Sequence, residues 1–167
     1  MTTIDALLAE FDREFGVTRL LIERAPADRA SWSPHPKSFT LGDICLHLAN
    51  LPSWTAPTLR STEFDLNPPD GGAPPRAVFD SMEATLRRFD ANVAEARAAL
   101  AGAVDAELAV PWTLKNGGET LFTMPRGAVL RTFVLNHAVH HRGQLSVYLR
   151  LCDVPLPPIY GPTADSA

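Results

Sequence analysis

Two histidines four residues apart, His137 and His141, are the side chains of this sequence best suited to chemistry. In an α-helix, positions i and i+4 lie on one face about 6 Å apart, so two imidazoles at this spacing can bind the same ion. A third histidine, His47, lies in a separate apolar helical pattern. Three histidines on two packed helices would form a metal site with a vacant coordination position.

Helical periodicity places the histidine pair on an inward-facing stripe of the segment 125–151. With about 100° per residue, His137 and His141 fall among apolar residues, whereas Arg142 and Gly143 point elsewhere. Buried imidazoles need partners, and one shared ion would satisfy both rings. Structural histidines that are hydrogen-bonded to neighbours are the alternative. The third histidine, on a second inward stripe, favours the metal site.

Other polar residues near the histidines are candidates for supporting roles. Gln144 could hold a ligand histidine or a water on the metal, or it could form only a helix-packing hydrogen bond. His140 lies at the edge of the stripe and could support a ligand, carry protons or face solvent. Asn50, one turn after the third histidine, could also support a ligand. Cys45 is expected to point away from the site, and His35, in a proline-flanked loop, is expected to be exposed.

The ligand set restricts the metal and its chemistry. Three neutral imidazoles suit Zn²⁺, Ni²⁺, Co²⁺, Fe²⁺ or Cu²⁺, and do not suit Mg²⁺ or Ca²⁺. Three protein ligands leave room for water or substrate. A bound water would be acidified toward neutrality, and a bound thiol would be held as thiolate. The sequence alone does not select one metal.

Four apolar patterns predict the helices that would position these residues. Thr40 is the expected N-cap of the second helix, with Asp43 in its first turn. Four long helices joined by loops predict an all-α four-helix bundle, in which the spatial order of the helices is open. The predicted helices span residues 3–25, residues from 41 toward 52, residues 75–100 and residues 125–151.

The remaining segments are rich in proline and glycine. Residues 62–76 are predicted to form a loop. Residues 108–123 could form a short β-hairpin that turns at Asn116-Gly117, and Pro111 would restrict its first arm to an edge position. The tail 155–167 contains four prolines and cannot be helical throughout.

Composition limits the function classes. A chain of 167 residues suits a single domain, residues 1–167, and an apolar fraction of 46% is ample for a folded core. The net charge of −4 and the scattered arginines argue against nucleic-acid binding. The lack of a signal peptide or of a long apolar span argues against a membrane and predicts a cytoplasmic location. Cys45 and Cys152 are then expected to be free thiols.

The chain resembles the DinB/YfiT-like superfamily. The segments Phe39–Asn50 and Leu135–Leu145 carry the resemblance, and the second contains the family's H-x-x-H-H-x-G-Q signature. The resemblance implies a four-helix bundle in which a divalent metal is held by a histidine triad, and the triad maps onto His47, His137 and His141. It also implies a homodimer and, in some members, S-transferases or isomerases that use low-molecular-weight thiols, with others acting as hydrolases.

Three functions compete at this stage. The first is an enzyme in which zinc, nickel or iron activates a thiol or water against a small-molecule substrate, with Trp32, Trp54 and Trp112 as candidates for the pocket wall. No Asp or Glu has the general-base spacing of an H-E-x-x-H site, which weakens a hydrolase of that type. The second is a metal-binding or stress-response module without turnover. The third is a structural bundle with buried histidines.

Overall fold

The structure is a computed structural model that describes residues 2–72, 75 and 77–166. These residues are mostly helical. The long segment after the hairpin is interrupted by a π-helix, Leu130–Asn136, between two α-helices. The α-helices are α1 (Thr3–Glu23), α2 (Leu41–Asn50), α3 (Thr55–Arg60), α4 (Met82–Ala101), α5 (Arg126–Val129) and α6 (His137–Leu151).

Helices α1 and α2 each pack against both α4 and α6. This packing gives the spatial order that the sequence left open, and it fits the predicted helical bundle. Their buried apolar faces form one main core, which includes Phe11, Phe15, Ile44 and Leu145. Both cysteines in the described chain are free, as predicted, and Cys45 is buried in this core. No helix among the described residues is both long and apolar enough to cross a membrane.

Side-chain caps fix where the helices begin. The Thr40 hydroxyl accepts a hydrogen bond from the Asp43 N–H at 3.1 Å, so the predicted cap of α2 is confirmed. The predicted start of the third helix at residue 75 is wrong. Ser81 caps α4 by accepting from Ala84 N–H at 3.1 Å, and 77–81 are not helical. Residue 76 of this predicted helix, and residues 73 and 74 of the predicted loop before it, lie outside the described residues.

The predicted inward stripe of the last helix needs a correction. Arg142 was expected to point away from the core, but its side chain is 2% exposed because it pairs with Glu14 of α1 at 2.6 Å. The buried face of α6 is not centred on His137, which is only half-buried. It includes Ala138, His141, Arg142, Leu145 and Leu149. His137 therefore lies at the border of the core rather than at its centre.

A small sheet covers one side of the helices. It has the order β1-β2-β3, with β1 (Glu63–Asp65) parallel to β2 (Pro111–Asn116) and β2 antiparallel to β3 (Glu119–Pro125). The predicted hairpin is confirmed, but the sheet is larger than a hairpin because β1 comes from the segment 62–76 that was predicted to be a loop. The class is therefore helical with an added sheet rather than purely all-α.

The turn of the hairpin lies one residue later than predicted. Gly117 and Gly118 occupy its two central positions with φ of +64° and +84°, the backbone that a type I′ turn requires. Pro111 was expected to confine its strand to an edge, yet β2 is the central strand. Its missing N–H is tolerated because pairing with β1 begins only at Thr113.

The sheet and the helices enclose a second apolar cluster that is separate from the main core. Its buried members are Trp112 and Leu114 of β2 and Val129 of α5. Partly buried aromatic residues complete it, namely Trp54, Phe64, Phe122 and Phe133. This cluster lies directly beside the histidines.

Candidate metal centre

The three predicted histidines meet at one point between α2 and α6. The Nε2 atom of His137 lies 3.2 Å from Nε2 of His47 and 3.0 Å from Nε2 of His141. One nitrogen from each ring falls within 4.8 Å of the others. Three histidines this close together could bind a metal ion, and we call them the histidine triad.

Local features of α2 and α6 determine where their histidines lie. His47 lies in the last turn of α2, and His137 is the first residue of α6, directly after the π-helix. A π-helix widens the turn by one residue and is often found at functional sites. Here it separates α5, which contacts β2 and β3, from α6, which carries His137 and His141 and packs against α2.

Hydrogen bonds at the outer ring nitrogens orient two of the three histidines. His141 Nδ1 lies 2.8 Å from Gln144 Oε1, and since that oxygen can only accept, Nδ1 carries the proton and Nε2 has a free lone pair. The Phe133 backbone hydrogen-bonds to His137. Because Nε2 of His137 faces the other histidines, its Nδ1 meets the Phe133 carbonyl.

This arrangement fits a cation between the rings. With both outer nitrogens protonated, the Nε2 lone pairs of His137 and His141 face each other at 3.0 Å, which is repulsive unless a positive charge lies between them. Nitrogen ligands on tetrahedral zinc stand roughly 3.3 Å apart, given zinc–nitrogen bonds of about 2.0–2.1 Å. The two separations measured at His137 Nε2, 3.2 Å to His47 and 3.0 Å to His141, are close to that value.

Burial keeps the two α6 histidines neutral. It lowers the pKa of His137 and of His141 below the usual imidazole range, and the hydrogen bonds that these rings donate to Phe133 and Gln144 oppose it only in part. A neutral imidazole is the form that binds a metal ion, so the site holds these two rings ready for a ligand role.

Phe39 is a contributor that sequence reasoning missed. Its ring stacks on His47 with centroids 5.4 Å apart and meets the edge of His141 at 5.9 Å. It therefore covers one side of the triad. The available signal was its place directly before the cap of α2, where an apolar residue commonly packs back onto the helix.

The other predicted residues lie at different distances from the triad. His140 is exposed and lies 3.2 Å from Gln144 through its Nε2, so it connects to His141 by way of that amide. Asn50 shares the wall of an open groove with His47, and its Oδ1 lies 3.5 Å from Arg88. His35 is exposed, as expected. Cys45 is buried in the main core rather than at the triad, and desolvation there raises the pKa of its thiol to about 12.

An apolar cavity of about 150 Å³ adjoins the triad. His47 and His137 form one side of it, and the second apolar cluster forms the rest. Trp54 and Trp112 line it, as the sequence suggested, whereas Trp32 packs edge-on against Tyr148 elsewhere. Its walls are His47, Leu51, Trp54, Trp112, Leu114, Phe122, Val129, Phe133 and His137.

The fold and the triad define a helical protein with a candidate metal centre. The family model of the DinB superfamily matches residues 10–145, and the chain belongs to that superfamily. The resemblance found in the sequence is thereby confirmed.

Known relatives agree on the fold. A DinB-like protein of Bacillus cereus ATCC 10987 is similar with a TM-score of 0.70 and 21% identity, over 93% of this chain and 97% of that one. The DinB-like protein YjoA of Bacillus subtilis gives a TM-score of 0.72 and 18% identity, over 95% and 99%. YrdA of Bacillus subtilis strain 168, described as uncharacterized, is 43% identical over 42 residues, which span only 25% of its length.

Proposed function

We propose that this protein binds a divalent transition-metal ion through His47, His137 and His141 and uses it to activate a thiol or water toward a small-molecule substrate. The convergence of three Nε2 atoms, two of them with opposed lone pairs, is the observation that supports this function. Zinc, nickel and iron all suit three imidazoles. A bound ion of this kind lowers the pKa of a thiol or water at its open coordination position.

The chain's own residues prepare that chemistry. Gln144 and the Phe133 carbonyl fix the two α6 rings, so the ligands need not reorganise when an ion binds. Phe39 covers the triad and limits water on that side. His140, exposed and hydrogen-bonded to Gln144, is the group we propose for exchange of protons with solvent.

The polar surroundings favour a thiol over a hydrolytic water. Besides the apolar cavity, two open grooves adjoin the triad, and among the described residues that line these three spaces the one carboxylate is Asp43. Its Oδ2 accepts a hydrogen bond from the Thr40 hydroxyl at 2.7 Å, at the start of α2. A thiol activated by the ion itself needs no carboxylate base, so an S-transferase-like reaction with a low-molecular-weight thiol is the better fit.

The first experiment measures metal content. Protein purified without chelator is expected to contain about one equivalent of a divalent transition metal per chain, and His47→Ala, His137→Ala and His141→Ala should each lose most of it. His35→Ala is the matched control and should keep it, since His35 is exposed in a loop. Equal metal content in all four variants would refute the triad.

The second experiment asks whether the metal supports turnover. The metal-loaded protein is screened with small thiols and electrophiles, with chelator-treated protein as the control. Metal-dependent thiol consumption supports the enzyme. Stoichiometric metal without turnover would instead support the metal-binding or stress-response module. Sedimentation would test the homodimer that the family resemblance implies.

A further inference from the structure

The stability of the fold gives no reason for the apolar cavity beside the triad to exist. An empty cavity is destabilising because the atoms around it lose contacts. The same wall carries a second cost, since the indole N–H of Trp112 is buried without a hydrogen-bond partner among the described residues. Trp112 and Val129 of the cavity wall are 0% exposed, so this part of the wall is buried inside the protein.

The residues that line the cavity determine which chemical groups could bind in it. Apart from the two histidine edges, the seven lining residues are apolar or aromatic, and none carries a charge. An engineered apolar cavity of about 150 Å³ is known to stay dry and to bind benzene. The present cavity has a volume of about 150 Å³. A compact apolar group of about six carbon atoms therefore fits it, whereas a charged or strongly hydrated group does not.

The position of the cavity relates it to the metal centre. Two of its lining residues, His47 and His137, are also members of the triad. A group held in the cavity would thus have its next atom at the ligand nitrogens. The open groove formed by Lys37, Ser38, Phe39, His141, Gln144 and Tyr148 reaches the triad from another side and contains polar and charged side chains.

We propose that the cavity binds a compact apolar part of the substrate, of the size of a benzene ring, and presents the adjoining atom to the metal centre, while a polar thiol enters through the open groove at His141. The role given to the metal rests on the proposed function. Binding of the apolar group does not, because the walls exist in the protein chain itself.

The test titrates metal-loaded protein with fluorobenzene and observes the ligand by ¹⁹F NMR, with benzene as competitor. Saturable binding at one site is expected, together with shifts of the methyl signals of Leu51, Leu114 and Val129. A melting temperature that rises with ligand concentration should accompany it. Absence of saturable binding, or methyl shifts confined to other residues, would overturn the inference.

Variants provide the matched comparison. Val129→Phe fills the cavity from α5 and should weaken fluorobenzene binding at least tenfold, and Leu114→Trp fills it from β2 with the same result. Val147→Phe makes the same change at a site that is 56% exposed on α6, and it should bind as the wild type does. A folded Val129→Phe protein with unchanged affinity would contradict the proposal. If both filled variants fail to fold, the wild-type methyl shifts decide.

The same samples separate this inference from the proposed function. The filled variants keep all three histidines, so each should retain the metal. Metal and thiol turnover without fluorobenzene binding would remove the cavity proposal alone. Fluorobenzene binding in a protein that takes up no metal would remove the proposed function alone.

Discussion

Each α6 histidine depends on the partner of its second ring nitrogen. Gln144 binds His141 Nδ1 at 2.8 Å and so fixes which nitrogen faces the triad. Without this acceptor the ring can rotate or change tautomer, and the lone pair at Nε2 is no longer guaranteed. The amide is exposed on its other side, where it meets His140, so we expect its contribution to stability to be small compared with its effect on the orientation of the His141 ring.

We therefore expect Gln144→Ala to weaken metal binding by about 10–100-fold while the fold is kept. Gln144→Glu is the matched variant, since its carboxylate can still accept from Nδ1 and should restore most of the affinity. Competition with a chromophoric zinc chelator measures both. A Gln144→Ala protein that binds metal as tightly as the wild type would contradict the role given to this amide.

At the scale of elements, α2 is short, and two adjacent residues act at its opposite ends. Thr40 closes its first turn, and Phe39, the residue before it, stacks on His47 near the other end of the helix. The same dipeptide therefore sets both the start of the helix and the cover over the triad.

Thr40→Ala is expected to lower the free energy of unfolding by about 1 kcal/mol, because the Asp43 N–H loses its acceptor. Thr40→Ser keeps the hydroxyl and should stay within a few tenths of the wild type. Urea denaturation measures the difference. Equal destabilisation by the two substitutions would mean that the methyl group of Thr40, rather than its cap, matters.

Patterns within single elements, and the meeting of His47 with the α6 histidines, could be predicted from the sequence, whereas the pairing of β1 with β2 could not. The cap at Thr40 and the i, i+4 spacing of His137 and His141 are local, and both could be predicted. Strand β1 could not, because a three-residue strand carries no periodicity and forms only where β2 offers an edge. The π-helix could not be predicted either, because helical periodicity was taken as 3.6 residues per turn throughout.

At the scale of the whole molecule, a buried ion pair joins the first helix, the last helix and the tail. Arg142 of α6 donates to Glu14 of α1, and the Tyr160 hydroxyl of the tail donates to the same carboxylate at 2.7 Å. Burial would raise the pKa of Glu14, but the hydrogen bonds from Tyr160 and Arg142 outweigh it and lower the pKa. Sequence reasoning missed this group because the inward stripe was centred on His137, and Arg142 lies about 140° away from it around the helix.

Arg142→Ala should therefore cost about 3–5 kcal/mol, since it leaves the buried Glu14 carboxylate with only the exposed Arg13 as a charge partner. The control is Arg87→Ala, which removes an exposed pair with Glu83 and should change stability by less than about 1 kcal/mol. Chemical denaturation compares the two. Similar small losses in both variants would show that the buried pair is replaceable.

The triad unites two stretches of chain that are 90 residues apart in sequence. An ion bound there would cross-link the two stretches and close a long loop of chain, as a disulfide does. It would restrict the unfolded ensemble for as long as it stays bound. Cys45 and Cys152 are both free thiols. A metal cross-link of this kind would therefore survive reducing agents, whereas a chelator would remove it.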